Sequence, residues 1–436
     1  MTYTTSMATR ANAAGAMAKL LRESLRLNVR AVIHRRHLGP AAYDGATITD
    51  YDPLDPVTAA NPFPAYRTLH EGNRVHYNPR RDTWIISRHA DLREALKATE
   101  QINSTEGVTR LKFAMPMMVF SDGAPHSQMR KRVQPVFTKR ALESWSQRVD
   151  TLAATTVADL IEAPGCDVVR NLTIPLPMNL IAAIMGVPDA DMGQFRQWSE
   201  DAVKIMDLTP SVKAIGQAAT SVRAVLALRR YFLAQFASGA VKDPSTALGR
   251  LVADNSDGSI TDDELFATAL LLLAAGNETT TNLLGGMFDT LARNALEYQK
   301  IRANPDLIPM AVEEQLRYSS PIQHLYRNTV TDYRVGDVTI PRGSRVLMSY
   351  GAANRDPAMF DHPDSYFADR NPRMHVAFGY GAHMCIGAPL ARMEAVAVLR
   401  ELVTRVSRIE PLGATTWSTT ASLRGPVHLR VKLHAA

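Results

Sequence analysis

The stretch Phe378-Gly379-Tyr380-Gly381-Ala382-His383-Met384-Cys385-Ile386-Gly387 decides how this chain is read. It sets one cysteine in a loop punctuated by glycines. The run Pro389-Leu390-Ala391-Arg392-Met393-Glu394-Ala395, with a helical pattern, follows directly. Glycine tolerates positive φ and lets a large, flat body approach the backbone. A cysteine just ahead of a helix has its thiolate favoured by the backbone N–H groups there.

The residues alone leave several uses open. A zinc site needs about four ligands, and His383 with Cys385 supplies two at an unhelpful spacing. A nucleophilic cysteine wants a His–Asn or His–Asp partner, which sequence does not place. An axial thiolate to haem iron needs one cysteine, free backbone around it and apolar packing. The plain alternative is a buried small side chain.

A second signal lies upstream. Thr261-Asp262-Asp263-Glu264 is a capping box that opens a helix. The run Leu265-Phe266-Ala267-Thr268-Ala269-Leu270-Leu271-Leu272-Leu273-Ala274-Ala275 then predicts a helix apolar on every face, passing through the middle of the protein. Gly276-Asn277-Glu278-Thr279-Thr280-Thr281 interrupts it with residues a buried helix tolerates poorly. Gly alone costs about 1 kcal/mol relative to Ala, and hydroxyls can bond back one turn and bend the helix. A buried polar patch answered by neighbouring helices is the plain alternative. Local rules broken at a single spot often mark function. A third signal is Glu313-Glu314-Gln315-Leu316-Arg317, where Glu314 and Arg317 share a helix face. Alone it reads as an ordinary surface ion pair.

Composition narrows the classes. The 436 residues are 46% hydrophobic and 21% charged, ordinary for a soluble globular chain. The net charge is +6, but residues 1–45 hold seven basic side chains against Glu23 and Asp44, leaving the body nearly neutral. A nucleic-acid reading from global charge is therefore weak. Two cysteines, Cys166 and Cys385, make no disulfide framework; one functional and one incidental thiol in a cytoplasmic protein fits better. The longest uncharged run, 171–188, carries Pro175, Pro177 and Asn179, and 265–277 is too short to span, so no transmembrane anchor or secretory signal is expected. In the N-terminal segment Leu20, Leu21, Leu25 and Val29 can share one helical face, and Arg22, Arg26 and Arg30 another. That pattern suits an acidic membrane surface or an organelle transit peptide; a solvated helical extension packed on the domain is the plainer reading, and is the one taken.

Elsewhere the spacing predicts a hairpin from β-like runs at 74–77 and 83–86, long amphipathic helices over 142–161, 190–206 and 211–236, and short strands at 333–340, 345–349 and 427–433. The sum is mainly α with small β-sheets.

Taken together and in this order, Ala275-Gly276-x-Glu278-Thr279, Glu314-x-x-Arg317 and the cysteine loop resemble the cytochrome P450 family. Asp122-Gly123-Ala124-Pro125-His126 with Arg130, Ala353-Asn354-Arg355-Asp356-Pro357 with Phe360, and Ser422-Leu423-Arg424-Gly425 join the resemblance. It covers the chain from about Tyr51 to the C-terminus and looks like the soluble bacterial branch. The basic extension over 1–45 stands outside the pattern, and the resemblance implies one P450 domain over 46–436, with haem b between a long central helix and the cysteine loop.

The resemblance further implies that Cys385 is the proximal thiolate ligand and that Phe378 packs beside its sulfur. Gly379, Gly381 and Gly387 let the loop lie against the porphyrin. His126, Arg130, Arg327, His375 and His383 stand where propionates are met, suited by the planar fork of Arg. Glu314 and Arg317, with Arg370, lock the helix behind the loop. Glu278 and Thr279 deliver the protons that O–O heterolysis requires, and the thiolate favours that cleavage.

Substrate walls are expected from Val108, Leu111, Phe113, Met115, Met117 and Met118, from Leu271, Leu272 and Ala275, and from a lid at Ile205, Met206 and Leu208. Ile322, Gln323, His324, Leu325 and Leu423 close the rest, with Gln323 and His324 as polar anchors. The implied function is insertion of one oxygen atom of O₂ into an apolar substrate of lipid, terpenoid, steroid or macrocycle type. Electrons would come from NAD(P)H through a separate ferredoxin reductase and ferredoxin, since no nucleotide-binding fingerprint and no cluster-ligand cysteine set is present. The ferredoxin is expected on the Cys385 side, at Lys131, Arg132, Lys139, Arg140 and Arg392. An H₂O₂-dependent peroxygenase would usually lack the Glu278–Thr279 pair. A non-catalytic haem ligand-binding or sensor protein would take up no oxygen in turnover, and a helical ligand-binding protein with a structural cysteine would be colourless.

Overall fold

The computed structural model describes residues 22, 24–29, 43–112, 117–188, 191–203, 212–238, 243, 245–253, 255 and 260–436. The strands are short: β1 (Thr47–Ile48), β2 (Val75–Asn78), β3 (Thr83–Ile86), β4 (Ile102–Asn103), β5 (Leu325–Thr329), β6 (Tyr333–Val335), β7 (Val338–Ile340), β8 (Arg345–Met348), β9 (Val406–Pro411), β10 (Thr416–Trp417), β11 (Pro426–His428) and β12 (Val431–Ala435). The expected hairpin forms from β2 and β3, Val75 facing Ile86, with Asp82 at a positive φ of 50° in the turn. It belongs to a mixed sheet in the order β1-β2-β3-β8-β5-β4. The piece expected at 427–433 is two strands in different sheets, β11 against β10 and β12 against β9. The Asp167 carboxylate separates them by accepting the Leu429 N–H at 3.1 Å and pairing with His428 Nδ1 at 2.8 Å.

The helices carry most of the mass. Those that line the site or pack around it are α1 (Gly123–Val133), α2 (Ser146–Glu162), α3 (Pro175–Met185), α4 (Met192–Val203), α5 (Val212–Ser238), α6 (Asp262–Arg293), α7 (Ile308–Ser319) and α8 (Ala388–Arg405). The helix expected over 142–161 breaks at Ser144 and Trp145, where Ser144 and Ser146 hydroxyls donate to the Ala141 and Glu143 carbonyls and compete with the helical ladder. The capping box is present in full: Thr261 Oγ1 accepts from Glu264 N, and the Glu264 carboxylate accepts from Thr261 N.

From that cap α6 runs 32 residues without a break, straight past Gly276. Its neighbours α3, α5, α7 and α8 close around it. Leu265, Ala269, Leu272, Leu273, Leu284 and Phe288 are all buried in the main core, which is why an all-round apolar sequence is stable here. A smaller core lies under the mixed sheet, where Trp84 and Tyr77 pack with Tyr43. Both cysteines are free thiols. No described helix is long and apolar enough to cross a membrane.

Candidate active site

Between α6 and the cysteine loop lies a cavity with an apolar lining. Gly379 and Gly381 both adopt positive φ, 71° and 72°. At Gly381 a Cβ would also stand 2.8 Å from the Leu96 carbonyl oxygen, so the loop closes only with glycine there. The turn is pinned by Cys385 N–H donating to Phe378 O at 2.8 Å. Cys385 then sits at the entrance to α8. Its thiol opens onto the cavity, which makes the residue accessible, yet the surroundings are protein on every other side. Burial pushes the thiol pKa up; backbone N–H groups of Gly387 and Ala388 and the nearby Arg130 and Arg392 guanidinium groups oppose it. Gly387 has an ordinary φ of −83°, and a Cβ there would make only ordinary contact, 4.0 Å from the Cys385 sulfur.

Basic side chains gather on the rim. Arg130 Nη2 donates to Met384 O at 2.7 Å, and Arg327 Nη1 to Tyr326 O at 2.9 Å. Among the described residues neither forms an ion pair, although Arg327 is buried. Burial lowers the Arg130 pKa, and it lowers His126 to about 4 with help from His383 and Arg130. The His126 and His383 rings lie tilted against each other with centroids 4.2 Å apart. His383 Nε2 pairs with Asp122 Oδ1 at 2.8 Å. Burial raises the Asp122 pKa, but His383, the Ser104 N–H and Arg327 outweigh it and the net shift is downward. Two guanidinium groups with no carboxylate ion pair among the described residues, and two imidazoles, beside a thiol in an apolar slot make a donor set that fits haem: thiolate for iron, Arg130 and Arg327 as cations for two propionates, imidazole N–H groups as further donors, apolar walls for the ring.

Of the expected residues, the cavity gathers Cys385, Phe378, Gly379, His383, Gly387, His126, Arg130, Arg327, Thr279, Ala275, Leu272, Leu271, Met118, Ile322 and Leu325. Thr279 Oγ1 donates to Ala275 O at 2.6 Å and keeps acceptor capacity. Glu278 is half-buried on the adjoining helical position and is not in the lining.

Several expected residues stand outside the lining. His375 is not in the lining; its Nε2 pairs with Glu313 Oε2 at 2.9 Å. Leu325 and Arg327 line the cavity, so strand alternation sends His324 to the other side of β5. His324 is buried edge-on against Tyr326, and burial takes its pKa down to about 3. Gln323 is locked into the fold instead: Tyr66 O–H donates to its Oε1 at 2.6 Å, and its Nε2 donates to Ser319 O at 2.9 Å. Val108, Met117 and Leu423 also miss the lining; Val108 O accepts from Tyr326 N, and Leu423 forms a bridge with Ile322. Phe113, Met115, Ile205, Met206 and Leu208 lie outside the described residues.

The sequence reading missed Ile181, Phe137, Tyr350 and Glu394 in the lining. Ile181 packs on Gly276, where a Cβ would come within 2.9 Å of its Cγ1; the glycine marks a close approach in the sequence but does not name Ile181 as the neighbour. Glu394 is buried with Oε2 unpartnered, and burial holds its pKa well above the usual range.

Behind the loop, Glu314 and Arg317 are both fully buried. Arg317 Nε and Nη2 donate to the two Glu314 oxygens at 2.7 and 2.8 Å, and the remaining donors reach Asn354 O, Pro363 O and Ser365 O. Arg370 Nε stands 3.0 Å from Glu314 Oε1 as a charge contact without hydrogen-bond alignment. The next glutamate, Glu313, takes both a bidentate bond from Arg392 and the His375 ring.

Comparison with known proteins agrees with this geometry. A family model described as Cytochrome P450 matches residues 240–412. The beta-dihydromenaquinone-9 omega-hydroxylase of Mycobacterium tuberculosis is 43% identical over 384 residues, covering 88% of this chain and 78% of that protein. The chain belongs to the cytochrome P450 family. Cytochrome P450 130 of the same organism is 33% identical over 85% of this chain and 94% of its own length. Among solved P450 structures, CYP109E1 from Bacillus megaterium in complex with testosterone superposes with a TM-score of 0.79 at 28% identity, covering 86% of this chain and 99% of that one. As a P450 the chain is a haem-dependent monooxygenase, an oxidoreductase, and the family typically takes its electrons from redox partners.

Proposed function

We propose that this P450 hydroxylates an apolar, lipid-type substrate with haem b held by Cys385, working in the cytoplasm as one unit over 46–436. The carrying observation is a free thiol at the floor of an apolar cavity whose rim holds Arg130 and Arg327, which form no ion pair among the described residues. Cys385 would ligate the iron, and Arg130, Arg327, His126 and His383 would meet the propionates; His375 is left to Glu313. Bound there, haem supplies O₂ activation and the oxidising power. The chain's own part is access, orientation and protons. Met118, Ile181, Leu271, Leu272, Ile322 and Leu325 favour an apolar substrate and exclude water. Thr279 Oγ1 would receive a proton and pass it inward, with Glu278 feeding it from the adjoining helical position.

Two finer points go with this reading. The relative's name gives a dihydromenaquinone as its substrate, so long isoprenoid lipids are the first class to test. A small acidic ferredoxin, reduced by its reductase, is the proposed donor, steered by exposed Lys131, Lys139 and Arg140. Arg392 leaves that set because Glu313 occupies it, and Arg132 is half-buried with a partner of its own.

The test is spectroscopic. Purified protein should show the red-shifted carbonyl band of a thiolate haem, Cys385→Ser should lose it, and Cys166→Ser should keep it. Titration with isoprenoid quinones should shift the haem band as water leaves the iron. A normal thiolate band from Cys385→Ser would end the reading; a shift with steroids or macrocycles and none with isoprenoids would end the substrate assignment alone.

A further inference from the structure

The N-terminal segment finds a role that the substrate site does not use. Residues 22 and 24–29 are helical. One side of this helix is bonded to the body. Asn28 Nδ2 donates to Lys112 O at 2.8 Å while Lys112 N donates back to Asn28 Oδ1 at 3.2 Å. Ser24 Oγ donates to the same carbonyl at 2.9 Å. Lys112 is itself anchored: its ammonium reaches Glu106 at 2.6 Å and Gly343 O at 3.2 Å. The helix is therefore held in one orientation by a backbone segment that does not swing freely.

That orientation turns a second face outward. Arg22, Leu25, Arg26 and Val29 fall at spacings of three and four, so they share a helix face, and all four are exposed. Leu25 is 66% and Val29 47% exposed, among the barest large apolar side chains of the described residues. Leu111, next to the anchoring Lys112, is 52% exposed. Burying such residues is worth about 1.5–3 kcal/mol each, so an apolar pair left in water beside two arginines is incomplete as a plain solvated surface. Charge chooses the occupant. Residues 1–45 carry nearly all of the net positive charge of the chain. Apolar side chains flanked by Arg stems fit a lipid–water boundary with anionic headgroups, because the stems lie along the apolar layer while the guanidinium groups pair with phosphate.

We propose that the face formed by Arg22, Leu25, Arg26 and Val29 docks this protein on an anionic phospholipid surface. The solvated side chains of the sequence reading become a lipid contact, while Ser24 and Asn28 do the packing on the domain. The opposite, packed face is bonded to Lys112 through Ser24 and Asn28, six residues before the cavity wall at Met118. The proposal stands on the helix and its charge and needs no particular substrate.

Full-length holoprotein is co-sedimented with vesicles of phosphatidylcholine alone or of phosphatidylcholine with phosphatidylglycerol. Binding is expected to the second and to weaken with added salt. Arg22→Glu with Arg26→Glu should cut the partition coefficient by about tenfold or more, and Leu25→Asp with Val29→Asp should do the same. Both double variants should keep the thiolate carbonyl band, which reports an intact haem domain. Equal binding to both vesicle types, or anionic binding untouched by both double variants, overturns the proposal. So does a concentration-dependent dimer that the Leu25→Asp, Val29→Asp variant abolishes, found without vesicle binding; the face would then belong to a second copy of the chain.

Discussion

Arg317→Ala should be among the most damaging single changes available outside the cavity. The wild-type side chain makes five hydrogen bonds: two to the Glu314 carboxylate and three to the carbonyls of Asn354, Pro363 and Ser365. Both members of the pair are 0% exposed. Truncation leaves a carboxylate with only the Arg370 contact and the Phe367 N–H at 3.3 Å. Breaking a buried pair from one side costs about 3–5 kcal/mol. Each orphaned carbonyl adds about 1–3 kcal/mol if it stays dry, and water entering the emptied volume relieves part of that. Set against a total stability of about 5–15 kcal/mol, the lower bound already removes a large share. Arg317→Lys should fall between, since an ammonium has three donors and no planar fork. Urea unfolding followed by circular dichroism measures the loss, and the carbonyl band reports whether the cysteine loop still holds haem. An Arg317→Ala protein within about 1 kcal/mol of wild type would mean the pair acts like a surface ion pair, and would refute the reasoning.

Thr279→Ala should still consume NAD(P)H and O₂ but release more peroxide per product, because placed acid–base groups are worth about 10²–10⁴ in rate; unchanged coupling in both Thr279→Ala and Glu278→Gln removes them from proton delivery. Lys131→Glu with Lys139→Glu should slow the first electron transfer at low ionic strength by about tenfold while leaving substrate binding alone; a rate indifferent to salt and to both reversals means another docking face. Glu313 is raised by burial, but hydrogen bonds from Arg392 and then His375 overcome this and bring its pKa from 4.5 to about 2. A carboxyl depressed on folding stabilises above its unfolded value, so the stability of wild type over Glu313→Gln should be full above about pH 5 and vanish as pH falls from 4.5 towards about 2; a pH-independent difference contradicts the pairing.

The sequence by itself determined what rests on near neighbours. The capping box, the all-round apolar run of α6, the glycines of the cysteine loop and the hairpin at Asp82 each depend on residues a few positions apart. Their outcome could be read before any packing was known. The family followed because three local patterns stand in a fixed order, and the covalent chain preserves order. Tertiary structure decided which side chains share the cavity. His375 lies three residues before Phe378, yet Glu313 of another helix holds it away from the lining. His324 adjoins Leu325, but a strand sends neighbours to opposite faces, and only the pairing of β5 fixes which face meets the cavity; Gln323 is held out of the lining by Tyr66 and Ser319 instead. Ile181 and Glu394 enter the lining from helices that meet the slot only after the chain has folded. Burial also converted Glu314–Arg317 from a pair that looks like surface decoration into one whose loss is severe. Local sequence sets backbone shape and period, whereas the partner of a charge and the side of a strand that faces a cavity depend on segments well beyond the local window, such as Glu313 for His375 and β8 for β5.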